Sequence, residues 1–222
     1  MILPLYRISR QLPHAHYFAE LAAGRCHYRV DGPANGITLV MIHGATVPAW
    51  QFDRLVPLLN RAGILTVRLD LFGHGYSARP AVVHDYTLFT RQVFGLLDYV
   101  GLEGEMQLLG HSMGSVVAAR LLLTSPSRFG SLVMIAPMLD FLGDRKALRL
   151  LRVPLLGEAL MHGYVIPMLV RRRASRYRNI PDGDFVEMFC DQLRLPGGRA
   201  LIALAGSQRC TGRPANVLPR SQ

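Results

Sequence analysis

A strand-like run, Met106 to Leu109, passes into a helical one, Met113 to Leu123, through Gly110-His111-Ser112-Met113-Gly114. A chain that turns from strand to helix this abruptly has no room for a side chain on either flank of the turn, which accounts for glycine at 110 and 114. The serine between them is held at the tip, at the carboxyl edge of the sheet to which the strand belongs. The first turn of the following helix aims unpaired N–H groups and a partial positive charge at the same point. A hydroxyl placed there can attack a carbonyl carbon, and the oxygen that becomes negative forms where those N–H groups point. The plainer reading of Ser112 is a helix cap. A strand before, a helix after and both glycines in place favour a nucleophile.

The rest of the chain supplies a sheet for that turn. Phe18 to Ala23 and Arg25 to Val30 read as short strands meeting at Gly24, a hairpin. Ile37 to Ile42 is a continuous apolar run, the pattern of a strand buried on both faces of a parallel sheet. Apolar residues recur at helical spacing from Pro48 to Arg61, through Trp50, Leu55, Leu58 and Leu59, and Gly63 ends that helix. Ile64 to Leu69 is a further buried strand, followed by Asp70 and the glycine-rich loop Phe72-Gly73-His74-Gly75-Tyr76-Ser77. Tyr86 to Val100 reads as a helix and Leu132 to Ala136 as a strand. Strands alternating with helices require right-handed crossovers, so the expected class is α/β with a mostly parallel, doubly wound sheet. After Pro137 the rhythm changes, and Asp140 to about Pro196 reads as helical, apolar and basic.

Composition narrows the remaining options. Half of the 222 residues are apolar and 18% are charged, so one substantial core is expected rather than disorder. The most apolar stretch, Val153 to Val170, contains Glu158, His162, two glycines and two prolines, which suits a bent amphipathic segment better than a membrane span. The N-terminus carries no positive stretch followed by an apolar core and a small-residue cleavage site, so a cytoplasmic location is expected. Cys26, Cys190 and Cys210 are too few and too widely spaced for a disulfide framework or a zinc site. No metal and no cofactor is expected. The net charge of +10 is concentrated late: up to Gly143 basic side chains exceed acidic ones by two, and beyond it by eight. Without a recognition motif or interleaved aromatics this charge does not read as a nucleic-acid surface. A solvated arginine face, or peripheral contact with anionic lipid through Arg171-Arg172-Arg173, Arg176 and Arg178, accounts for it.

Three motifs together give a resemblance. His43-Gly44 followed by Trp50, then Asp70 with Phe72-Gly73-His74-Gly75-Tyr76-Ser77, and Gly110-His111-Ser112-Met113-Gly114 resemble the α/β-hydrolase superfamily, in particular its small esterase, monoacylglycerol-lipase and carbon–carbon-bond hydrolase branches. The resemblance runs from Ile37 to Pro137. It implies Ser112 as nucleophile, the N–H groups of Met113 and Ala45 as the oxyanion hole, His43, Gly44, Gly110, His111 and Gly114 as elbow and loop residues, and a helical cap after the sixth strand. A small acyl compound with an apolar portion is the implied substrate. Residues 1–138 then form the core with strands 1 to 6, 139–196 the cap, and 197–222 a residual segment.

The chain departs from the family's order of serine, acid, histidine. Asp140 stands where some members keep the acid, although the plainer reading is the N-cap of a cap helix. Asp182 and Asp184 flank Gly183 and read as a turn. After Ser112 the sequence contains one histidine, His162, which falls in the cap segment without a rigid orienting partner. His43 reads as structural, and His111, next to the serine on a strand, points to the opposite face. The expectation is therefore a chain truncated after strand 6, lacking strands 7 and 8 and the family's histidine. Weak turnover follows, or acylation without efficient deacylation. The rival reading is a non-catalytic protein that keeps the pocket for an apolar ligand. An exposed sixth strand would offer an edge for a homodimer.

Overall fold

The computed structural model describes residues 16–137, and these form a six-stranded sheet with helices on both faces. The strands are β1 (Tyr17–Leu21), β2 (Gly24–Asp31), β3 (Ile37–Ile42), β4 (Ile64–Leu69), β5 (Met106–His111) and β6 (Phe129–Ile135), in spatial order β1-β2-β4-β3-β5-β6. β1 and β2 form the expected hairpin, turning through Ala22 and Ala23 with Leu21 opposite Gly24. β2 continues antiparallel onto β4, while β3–β4, β3–β5 and β5–β6 are parallel. The cap segment, Asp140, His162 and the C-terminal residues lie outside the described range.

Strand alternation sorts the two cores. Val40 and Ile42 of β3 and Leu108 of β5 face the larger one, against helix α2 (Tyr86–Val100) through Phe89, Val93, Leu96 and Leu97, and helix α3 (Met113–Thr124) through Val116, Val117 and Leu121. Leu39, Met41 and Leu109 face the other way, onto Phe52 and Val56. α2 has the bounds its periodicity predicts. Asp85 caps it by accepting the Leu88 N–H at 2.8 Å, and Gly101 ends it in the left-handed conformation, φ 72°.

The helix predicted from Pro48 to Arg61 is interrupted. A 3-10 turn, Ala49–Phe52, is followed by a short α1, Val56–Arg61. Pro57 explains the break, because it lacks an N–H and its ring collides with the carbonyl four residues back, so it is tolerated only in a helix's first turn. Leu58 consequently faces outward, 56% exposed, whereas Leu55 and Leu59 pack on the smaller core.

That side of the sheet also holds an ion network. Arg68, fully buried on β4, stands directly opposite Arg29 of β2. Two carboxylates offset the adjacent positive charges: Asp31 Oδ2 accepts from Arg68 Nη2 at 2.6 Å, and Asp53 binds both Arg68 Nη1 and Arg29 Nη1. The bonds tie β2, β4 and the segment before α1 into one unit.

Candidate active site

β5 runs into α3 through Gly110-His111-Ser112-Met113-Gly114. Ser112 has φ 53° and ψ −118°, a backbone conformation that L-residues rarely adopt. Its N–H donates to Ile135 O at 2.9 Å, its carbonyl accepts the Ser115 N–H at 3.1 Å, and Ser115 Oγ donates to Gly110 O at 2.7 Å. The flanking glycines are sterically required. A Cβ at Gly110 would lie 2.5 Å from Ser115 Cα, and one at Gly114 2.2 Å from Ile42 O. α3 therefore begins pressed against the ends of β3 and β5. Its first residue, Met113, is buried, and Ser112 is half-buried at the rim.

The end of β3 meets this turn. Ile42 and Gly110 are register partners, so the loop beyond Ile42 runs beside Ser112. A Cβ at Gly44 would come within 3.2 Å of Ser112 Cβ and 3.0 Å of His111 Nδ1, a proximity that requires glycine or a displaced neighbour. The structure thus brings His43, Gly44, Ala45, Gly110, His111, Ser112, Met113 and Gly114 to one corner of the sheet.

His43 is fully buried. Its Nε2 accepts the Leu71 N–H at 2.9 Å, and its Nδ1 meets Gly44 O at 2.7 Å. Burial, reinforced by the neighbouring His74, holds the imidazole down at about 3, so it is neutral and both nitrogens are committed. His74 is likewise lowered by burial, and its Nε2 bonds Ala45 O at 2.9 Å. Neither ring is free to take a proton from Ser112.

Sequence reasoning missed a second polar centre, at Asp70. Its Oδ1 accepts the Ala49 N–H at 2.9 Å, and its Oδ2 accepts the Tyr76 N–H at 3.0 Å and meets His27 Nδ1 at 2.7 Å. Burial alone would push the carboxyl up, but the hydrogen bond and charge of His27, with the Tyr76 N–H, bring it down to about 2. Gln92 of α2 adds a brace, accepting the Phe72 N–H at 2.7 Å and donating to Asp70 O at 2.9 Å. The available signal was one amide within the apolar stripe Phe89, Val93, Leu96 and Leu97. Among the described residues no group of three or more His, Cys, Asp or Glu side chains is placed to hold a metal ion. No helix among them is long and apolar enough to cross a membrane.

Comparison with known proteins gives the family. The family model described as serine aminopeptidase, S33, matches residues 34–180. The monoglyceride lipase of Mus musculus is 25% identical over 191 residues, covering 84% of this chain and 59% of its own length. A haloalkane dehalogenase of Mycolicibacterium paratuberculosis is 28% identical over 127 residues, 54% of this chain and 42% of its own. The chain thus spans less than two thirds of the length of these relatives. Among solved structures, the epoxide hydrolase CorEH superposes with a TM-score of 0.75 at 20% identity, over 89% of this chain and 75% of that one, a likeness of fold. From the match over residues 34–180, together with a strand-to-helix turn carrying Ser112 at the sheet's carboxyl edge, the chain belongs to the serine aminopeptidase S33 family of the α/β-hydrolase superfamily.

Proposed function

We propose that this chain is a serine hydrolase that acts by acyl transfer on an ester or similar acyl compound with an apolar portion. Ser112 Oγ adds to the carbonyl carbon, its proton passing to the solvent and from the solvent to the departing group. The carbonyl oxygen takes up the electron pair, and the N–H groups of Met113 and Ala45 donate to it. Collapse of that adduct expels the leaving group and leaves an acyl-serine, which water cleaves. The observation that carries this reading is the Ser112 backbone at φ 53° and ψ −118°. A serine in ordinary helix-cap geometry needs no such conformation, and strained backbone of this kind concentrates at sites where it is part of the mechanism. The monoglyceride lipase relative supports an ester as substrate.

A fluorophosphonate probe bearing an alkyl chain tests the nucleophile directly, since it requires only an activated serine and an oxyanion site. Wild type should be labelled and Ser112→Ala should not. Absence of labelling in wild type, or equal labelling of both, would refute the reading and leave the alternative of an apolar-ligand-binding protein on the same fold.

A further inference from the structure

The loop after β3 is gripped at successive carbonyls by two buried imidazoles. His43 Nε2 accepts the Leu71 N–H, so the ring's proton is on Nδ1 and is donated to Gly44 O at 2.7 Å. His74 Nδ1 lies 3.3 Å from Phe72 O and Nε2 2.9 Å from Ala45 O. A neutral ring has one proton, and the shorter contact takes it. The rings meet edge to face with centroids 4.8 Å apart, and Asp70 Oδ1 pins the far end of the loop through the Ala49 N–H.

Peptide planarity converts this grip into an aim. In a trans peptide the carbonyl and the N–H point in opposite directions, and no cis bond is present among the described residues. The Gly44 carbonyl is drawn toward His43, inside the protein, so the N–H of the same peptide unit, that of Ala45, is turned outward from it. The Ala45 carbonyl is held in turn by His74, which fixes the next peptide plane. Ala45 is thereby immobilised from both sides, one residue beyond the glycine that abuts Ser112.

We propose that His43 and His74 are positioning residues for the oxyanion site, acting through the Gly44 and Ala45 carbonyls to hold the Ala45 N–H toward the oxygen of an adduct on Ser112. This rests on the reading of Ser112 as an acylated nucleophile. The chemistry explains why imidazole is used at 43: the side chain must accept from Leu71 and donate to Gly44 across one rigid ring, which a neutral imidazole does and a protonated one cannot. Burial keeps the ring in that neutral form.

The test separates the positioning role from the nucleophile. The limiting rate of fluorophosphonate labelling and the half-saturating probe concentration are measured for wild type, Ser112→Ala, His74→Leu and His74→Gln, with thermal unfolding confirming that each is folded. His74→Leu removes the donor to Ala45 O, and the limiting rate should fall about 10 to 100-fold at unchanged half-saturation, somewhat less than the loss on deleting an oxyanion donor outright. His74→Gln places an amide N–H near the former Nε2 and should return the rate to within a few-fold of wild type. Folded His74→Leu labelled at the wild-type rate would overturn the positioning role while leaving the nucleophile standing. Wild type that is not labelled, or Ser112→Ala that is, would remove both. Should His74→Leu fail to fold, His74→Asn takes its place, because its shorter amide falls short of Ala45 O: folded and labelled about 10-fold or more slowly than wild type it supports the proposal, folded and labelled at the wild-type rate it overturns it.

Discussion

The strain at Ser112 makes a prediction whose sign is decisive. A non-glycine residue held in such a conformation costs on the order of 1–3 kcal/mol, and glycine there carries no such cost. Against this relief, a glycine loses about 0.5–1 kcal/mol through the greater freedom of the unfolded chain. Ser112→Ala is the proper reference, because it keeps the Cβ and hence the strain, and because the Ser112 side chain makes no helix-capping bond that alanine would forfeit. Taking the middle of both ranges, Ser112→Gly should be more stable than Ser112→Ala by about 1 kcal/mol. With a urea m-value of about 2 kcal/mol per molar, the unfolding midpoint should rise by about 0.5 M at unchanged slope. A midpoint for the glycine variant below that of the alanine variant is the ordinary effect of glycine at an unstrained position. It would refute the claim that φ 53° and ψ −118° store energy there.

Stability should also fall in acid through His43. Its folded pKa of about 3 lies below the ordinary imidazole value of 6.5, so between those values the unfolded chain binds a proton that the folded one does not. The contribution is fully present above 6.5 and declines by about 1.4 kcal/mol per pH unit below it. Asp70, lowered from 3.8 to about 2, adds a loss only below pH 4, and urea midpoints that stay flat from pH 6.5 to 4.5 would contradict the burial of His43 as neutral. Asp31→Ala strips a buried partner from Arg68 and should cost about 3–5 kcal/mol by equilibrium unfolding. Asp53→Ala should cost less, because its carboxylate is one-third exposed. Gly114→Ala drives a Cβ into the Ile42 and His43 carbonyls, which cannot move aside as a side-chain tip would, and should cost about 3 kcal/mol and abolish probe labelling. Gly101→Ala, at φ 72° with nothing within 4 Å, should cost about 1 kcal/mol and leave labelling intact.

What the sequence announced was whatever a single element determines by itself. β3 is legible because a strand buried on both faces reads as an almost unbroken apolar run, and α2 because its apolar stripe and its glycine end coincide. The turn at Ser112 is legible because the steric demand falls on neighbours two residues away, at Gly110 and Gly114. What escaped depends on partners far along the chain. Arg68 reads as an anomaly inside an apolar strand until Asp31 and Asp53 are brought to it from two other elements. The break before α1 was readable from Pro57 and was overridden by the spacing of the leucines. The antiparallel seam between β2 and β4 has no local signature at all, since its register is a property of the pair.

The same distinction applies within the site. The serine is presented by local geometry, whereas the loop opposite it takes its orientation from groups about thirty residues further on: Leu71 and His74 on one side of the grip, His43 and Ala45 on the other. This division has an energetic logic. A strained turn is held by the close packing of α3 against the ends of β3 and β5, which tolerates no Cβ at 110 or 114. At Gly44 and Ala45 the loop carries no large side chain to pack, and fixing its peptide planes there requires directional bonds in a low-dielectric interior, where each is stronger than in water and each missing partner is costly. Two neutral imidazoles meet that need with little risk of charging near neutrality, because burial opposes their protonation. The β4 loop is therefore as much a part of the site's construction as the serine, although none of its side chains need touch a substrate.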